Sequence, residues 1–118
     1  KGCSKTAFFI LLSSDIFMKL NKMTDISIIL EKLRNAKPEL SARYKIHNLA
    51  VFGSYSRNEQ KAESDIDIMV EFSQPIGLEF VSLAFDLEKL LGMKVDLVSK
   101  KAIKKRYFNY ISKDFKYV

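Results

Sequence analysis

The sequence has little of the chemistry that staples small proteins together. With one cysteine, Cys3, it can form no internal disulfide, and with one histidine, His47, it has no Cys/His cluster at zinc spacing. A reducing compartment is the default, and the expected location is the cytoplasm. No long apolar run is present. The longest, Ala7-Phe8-Phe9-Ile10-Leu11-Leu12, falls far short of the roughly 20 residues a bilayer span needs. Lys1 and Lys5 ahead of it imitate a signal peptide, but Ser13-Ser14-Asp15-Ile16 stands where a small-residue cleavage pattern belongs. No membrane association is expected. No Walker A lysine follows Gly53, which excludes a P-loop, and no G-x-S-x-G elbow accompanies His47, which reads as structural.

The remaining composition suits one globular domain. The 118 residues are 47% hydrophobic and 29% charged, enough for a single modest core and too apolar for a disordered tail. There are no repeats and no linker long enough to divide the chain. The net charge of +6 is unevenly spread. Residues 1–23 carry +3, residues 24–99 carry −3, and residues 100–118 carry +6. A slightly acidic body therefore ends in a basic stretch, which is either a solvated helix face or a surface for nucleic acid, nucleotide phosphates or an acidic protein.

Residues 1–23 fit poorly with the rest of the chain and read as an appendage, with Met18 and Met23 as candidate starts; the domain is expected over 24–118. Thr24 or Asp25 can cap a helix carrying Ile26, Ile29, Leu30 and Leu33 on one side. Pro38 is expected to end it or to open a second short helix with Leu40 and Tyr44 on one side. Residues 48–52 read as a short buried strand stopped by Gly53. From Asp65 to Phe72 the pattern alternates, with Ile66, Ile68, Val70 and Phe72 on one face and Asp65, Asp67, Met69 and Glu71 on the other. Residues 78–91 predict an amphipathic helix with Val81, Phe85, Leu87, Leu90 and Leu91 toward the core and Gly92 after its end. Val95-Asp96-Leu97-Val98 predicts a third strand, and residues 101–115 a helix lined by Ile103, Tyr107, Tyr110 and Ile111. The fold class is α+β (α/β-like), a small mixed sheet of three or four strands flanked by helices.

Gly53-Ser54 closes one strand and Asp65-Ile66-Asp67 opens the next. Gly53 lets a backbone approach a ligand closely. Ser54 to Glu59 can start a short helix whose first amides, with the Ser54 hydroxyl, would cradle phosphate. Asp65 and Asp67, two apart in a strand, share a face. Hard oxygen ligands beside a phosphate cradle are what Mg²⁺ takes, with substrate phosphates completing its shell. If the third strand neighbours the second, Asp96 joins them, and three carboxylates can hold two metals about 4 Å apart. Each piece alone is ordinary: alternating Asp/Ile also makes a half-exposed strand, and Gly-Ser a loop. Jointly, Gly-Ser followed after ten residues by Asp-x-Asp arises by chance in roughly one such chain per thousand.

This arrangement resembles the signature of the polymerase-β-like nucleotidyltransferase superfamily. Phe52-Gly53-Ser54-Tyr55-Ser56-Arg57, continuing through Glu63-Ser64-Asp65-Ile66-Asp67 to Phe72, is closer still to the minimal nucleotidyltransferases (MNT), antitoxin partners of HEPN toxins. Residues 87–92 and 94–98 match as well, supplying the third aspartate, so the likeness spans about residues 26–118. Where the family usually has Ala-Arg-Gly-Glu, this chain reads Ser56-Arg57-Asn58-Glu59, and Asn tolerates the left-handed backbone nearly as Gly does.

The resemblance implies two Mg²⁺ ions, ATP as donor, and transfer of AMP to a tyrosine hydroxyl of a HEPN-domain toxin. Residue by residue, it implies Gly53 and Ser54 on the triphosphate, Asp65 and Asp67 on the metals, Asp96 completing the metal site and helping deprotonate the acceptor, and Arg57 on phosphate. Two other functions fit the same residues: an antitoxin that acts by contact alone, and a nucleotidyltransferase for a small molecule or an RNA end. The absence of a second domain for such an acceptor counts against the last. Tyr107, Phe108 and Tyr110 among basic residues could stack nucleobases, so nucleic acid is admitted as a partner though not favoured, as is assembly with itself or a partner.

Overall fold

The computed structural model describes residues 25–118; the appendage expected over 1–23 lies outside the described residues. Asp25 is the N-cap of α1 (Ile26–Tyr44), although its side chain accepts from Ser27 Oγ at 3.1 Å instead of capping an amide. Pro38 neither ends this helix nor opens another: the 19 residues run straight through it. A mid-helix proline loses one backbone bond and crowds the preceding turn, at about 3 kcal/mol. Buried Ile29 and Leu33 before it, and Leu40 and Tyr44 after it, keep both halves on the sheet. The Tyr44 hydroxyl further donates to Asp86 at 2.5 Å. Lys45, at φ 58°, ends the helix.

β1 (Ile46–Phe52) starts two residues earlier than the alternation suggests and carries an irregularity between Ile46 and Asn48 that leaves His47 exposed. It pairs antiparallel with β2 (Ile66–Phe72). α2 (Glu79–Leu91), closed by Gly92 at φ 68°, returns the chain to β3 (Val95–Ser99), which lies parallel to β2. A 3-10 turn (Lys100–Ala102), α3 (Lys105–Ile111), a second 3-10 turn (Ser112–Asp114) and β4 (Lys116–Tyr117) complete a mixed sheet ordered β3-β2-β1-β4. This is the expected α+β class. Among the described residues, no helix is long and apolar enough to cross a membrane.

One sheet face buries Leu49, Val51, Ile66, Ile68 and Val70 against α1 and α2. The opposite face carries Ala50 and Met69, both fully buried, although alternation alone puts Met69 on a solvated side. Aromatics of the C-terminal segment gather beside that face: Phe115 stacks edge-on against Phe52 at 5.6 Å, Phe108 at 5.5 Å and Tyr117 at 5.8 Å. The single long helix expected over 101–115 is thus two 3-10 turns around seven α-helical residues. Its expected apolar line is also corrected: Tyr107 and Tyr110 face outward, and Phe108 and Phe115 are the residues turned inward.

α2 carries a second correction. Leu83, Leu87 and Leu91 form its buried stripe, whereas Val81 and Phe85 are 51% and 61% exposed. Both sets recur at helical spacing, so the sequence holds two apolar stripes and the sheet selects one.

Candidate active site

The acidic residues meet at one end of the sheet because the strands bring them there. Asp67 is the second residue of β2 and Asp96 the second of β3, and the parallel register sets them opposite each other. Side chains at paired positions of neighbouring strands project from the same face, with strands about 4.8 Å apart. On its other side Asp67 pairs with Phe52, the last residue of β1, so Gly53 begins immediately beside it. Asp65 is exposed at the entrance to β2.

The electrostatics record this convergence. The Asp67 carboxyl is pushed up to about 6, first by burial, then by repulsion from Asp96 and from Asp65, and by a hydrogen bond with Asp96 that only a protonated pair can make. The Arg57 charge pulls the other way, so this guanidinium is felt at the site.

Gly53 is required here twice over. Its φ of +77° favours glycine, and a Cβ at this position would overlap Asp67 Oδ2 and stand 3.0 Å from its Cγ. Ser54 through Arg57 form a single hydrogen-bonded turn in place of the expected short helix. Arg57 N–H donates to the Gly53 carbonyl (3.1 Å), Asn58 N–H to Tyr55 (3.2 Å), and Glu59 N–H to Ser54 (2.8 Å). The last two bonds, with Asn58 at φ 59°, are a Schellman closure, so Asn58 does serve as the left-handed residue. Tyr55 is buried under the turn, and burial together with the nearby Asp65 charge raises its pKa.

Arg57 lies on this turn with its guanidinium held by two carboxylates: Nε on Glu59 at 3.0 Å and Nη1 on Asp114 at 2.6 Å. Ser56 Oγ donates to the backbone carbonyl of Asp114. Sequence reasoning misses Asp114, although one signal is available: it is the only acid among the seven cations of residues 100–118.

Among the described residues, no three His, Cys, Asp or Glu side chains stand already grouped as metal ligands. What is assembled is the Asp67–Asp96 pair, with Asp65 near enough to be felt. That donor set fits a hard divalent cation. It is all oxygen, with Asp67 half-buried and Asp65 and Asp96 exposed, and its crowded negative charge exceeds what Arg57 balances. The structure therefore brings Gly53, Ser54, Asp67 and Asp96 to one end of the sheet, with Asp65 at its mouth and Arg57 on the rim.

Strand-borne aspartates beneath a glycine-serine turn, on a small mixed sheet, define the nucleotidyltransferase class. A family model described as a nucleotidyltransferase domain matches residues 33–118, and the chain belongs to that family, among its minimal members. A candidate protein adenylyltransferase of Methanocaldococcus jannaschii is 48% identical over 100 residues, covering 81% of this chain and all of that relative. Protein adenylyltransferase MntA of Thermococcus cleftensis is 42% identical over 83 residues, 70% of this chain and 84% of its own.

Solved structures agree. A candidate minimal nucleotidyltransferase superposes with a TM-score of 0.67 at 32% identity, covering 79% of this chain and 95% of that one. A toxin–antitoxin complex with AMP-PNP gives 0.60 at 28% identity, covering 70% and 69%. A tri-AMPylated Shewanella oneidensis HEPN toxin in complex with MNT antitoxin gives 0.50 at 26% identity, covering 85% and 70%.

Proposed function

We propose that this nucleotidyltransferase is an antitoxin that transfers AMP from ATP to a tyrosine hydroxyl of a HEPN-domain toxin, with Mg²⁺ as cofactor, in the cytoplasm. The observation that carries the reading is the Asp67–Asp96 pair, set in register beside Gly53. The relatives named as adenylyltransferases, and the neighbours that are a toxin–antitoxin complex with AMP-PNP and an AMPylated HEPN toxin with its MNT partner, support the donor and the acceptor.

In this reading Asp65, Asp67 and Asp96 hold two Mg²⁺ ions, which when bound neutralise the triphosphate and polarise its α-phosphorus. Gly53 lets the backbone come close to the phosphates, and the Ser54 hydroxyl beside it bonds one of their oxygens. The tyrosine oxygen attacks the α-phosphorus in line. A new O–P bond forms, the bond to the bridging oxygen breaks, pyrophosphate leaves, and the hydroxyl proton passes to the Asp96 carboxylate. Arg57 faces the departing negative charge.

The test is incubation with Mg²⁺, a HEPN toxin and ATP labelled on either the α- or the γ-phosphate. Label from the α position alone should appear on the toxin. Label from neither, in a complex that still forms, contradicts the proposal.

A further inference from the structure

We propose that Asp114 is a positioning residue for the nucleotide: with Glu59 it fixes the Arg57 guanidinium at the rim of the acidic site, so that the donors left over face an incoming triphosphate. The inference rests on the nucleotidyltransferase reading of this site and extends it to a residue outside the motif.

The geometry is specific. Of the guanidinium's five N–H donors, Nε is committed to Glu59 and Nη1 reaches Asp114, while Nη2 has no carboxylate partner among the described residues. Asp114 is itself held in three ways. Its backbone carbonyl accepts from buried Ser56, its carboxylate is only 23% exposed, and the next residue, Phe115, is wedged among Phe52, Phe108 and Tyr117. Phe52 directly precedes Gly53. The C-terminal segment is thus tied to both ends of the nucleotide turn, through Phe52 before it and Ser56–Arg57 within it.

Magnitudes say what this tie does. Exposed ion pairs contribute about 0–1 kcal/mol to stability, and Arg57 is 46% exposed. The pair is therefore a poor stabiliser. Its effect is on placement: it takes a long, rotamer-rich side chain and presents its charge where polyphosphate would bind. Carboxylates behind metal-bound histidines do the same, and their loss typically costs 10–100-fold in affinity.

The experiment measures affinity for Mg²⁺·AMP-PNP by calorimetry, with melting temperature alongside. Asp114→Asn should weaken binding roughly tenfold, and Asp114→Glu should recover part of it. Glu59→Gln, at a side chain 65% exposed that the fold does not need, should weaken it about two- to threefold. In an Arg57→Gln background, neither Asp114→Asn nor Glu59→Gln should shift the affinity by more than about twofold, because their guanidinium is gone. Equal losses with and without Arg57 overturn the inference, since Asp114 would then act through the fold. Unchanged or tighter binding in Asp114→Asn also overturns it, since the carboxylate would then be idle or a competitor. An unaltered chain that binds no Mg²⁺·AMP-PNP removes the nucleotide reading itself, a result distinct from either.

Discussion

The Asp67 carboxylate occupies the space that a side chain on Gly53 would need. Two residues fourteen positions apart are thereby coupled: the left-handed glycine opens the corner, and the half-buried acid fills it. Asp96, opposite Asp67 in the parallel register, completes the pair to which the proposed function assigns nucleotide chemistry.

Gly53→Ala tests this coupling. The new Cβ must displace the Asp67 carboxylate and adopt an unfavourable φ, costing on the order of 1–3 kcal/mol. Nucleotide transfer should fall at least about 100-fold, because the displaced group is a proposed metal ligand. Denaturant melts and the transfer assay check both, and a fully active Gly53→Ala enzyme contradicts the coupling.

Asp67→Asn should stabilise the metal-free protein while abolishing transfer. The Asp67 carboxyl titrates near 6 in the folded chain against an ordinary value of 3.8. Between those values the folded chain keeps a proton that the unfolded chain has lost. This group therefore favours folding below about pH 4, and that contribution is lost as pH rises through 6. With discounting for partial exposure, the asparagine variant should gain about 1 kcal/mol at pH 7.5, or about 5 °C in melting temperature, and nothing near pH 4. Mg²⁺ should raise the melting temperature of the unaltered chain and not that of the variant.

Asp65→Asn combined with Asp67→Asn separates enzyme from contact antitoxin. Losing both carboxylates removes charge stabilisation worth several kcal/mol at a transferring phosphoryl group. Cells carrying a HEPN toxin should lose protection with the double variant, although the two proteins still copurify. Protection retained would favour neutralisation by contact.

The two stripes of α2 should respond unequally. Leu87→Ala, at a fully buried position, should cost about 2–5 kcal/mol. Phe85→Ser, at a position 61% exposed, should stay within about 0.5 kcal/mol. Chemical denaturation measures both directly.

The site is more legible in the sequence than the fold around it. Gly53-Ser54 and Asp65-x-Asp67 carry the signal of the candidate site in local spacing, and Asn58 declares its left-handed backbone by residue type. Asp96 needs one added condition, that β3 lie beside β2, which the register meets. The expected short helix from Ser54 gives way locally, to a turn that Asn58 closes, and the other errors come from packing across the chain. Pro38 stays helical because buried residues on both sides of it outweigh a local preference. Val81 and Phe85 form a stripe as regular as Leu83 and Leu87, and only the sheet chooses between them. Tyr107 and Tyr110 lose their expected inward positions to Phe108, in the same helix, and Phe115, which pack on each other while Phe115 also meets Phe52. Arg57 suggests a phosphate contact, but its hold on Asp114, 57 residues away, is invisible without the fold.

The central claim is that Asp67 and Asp96 share a divalent cation that grips a polyphosphate. The most direct measurement is anomalous diffraction from crystals grown with Mn²⁺ and AMP-PNP. The account predicts a manganese peak within coordination distance of both carboxylates and of a phosphate oxygen, beside Gly53. A nucleotide bound there with no metal between Asp67 and Asp96, or manganese seated elsewhere on the chain, would contradict it.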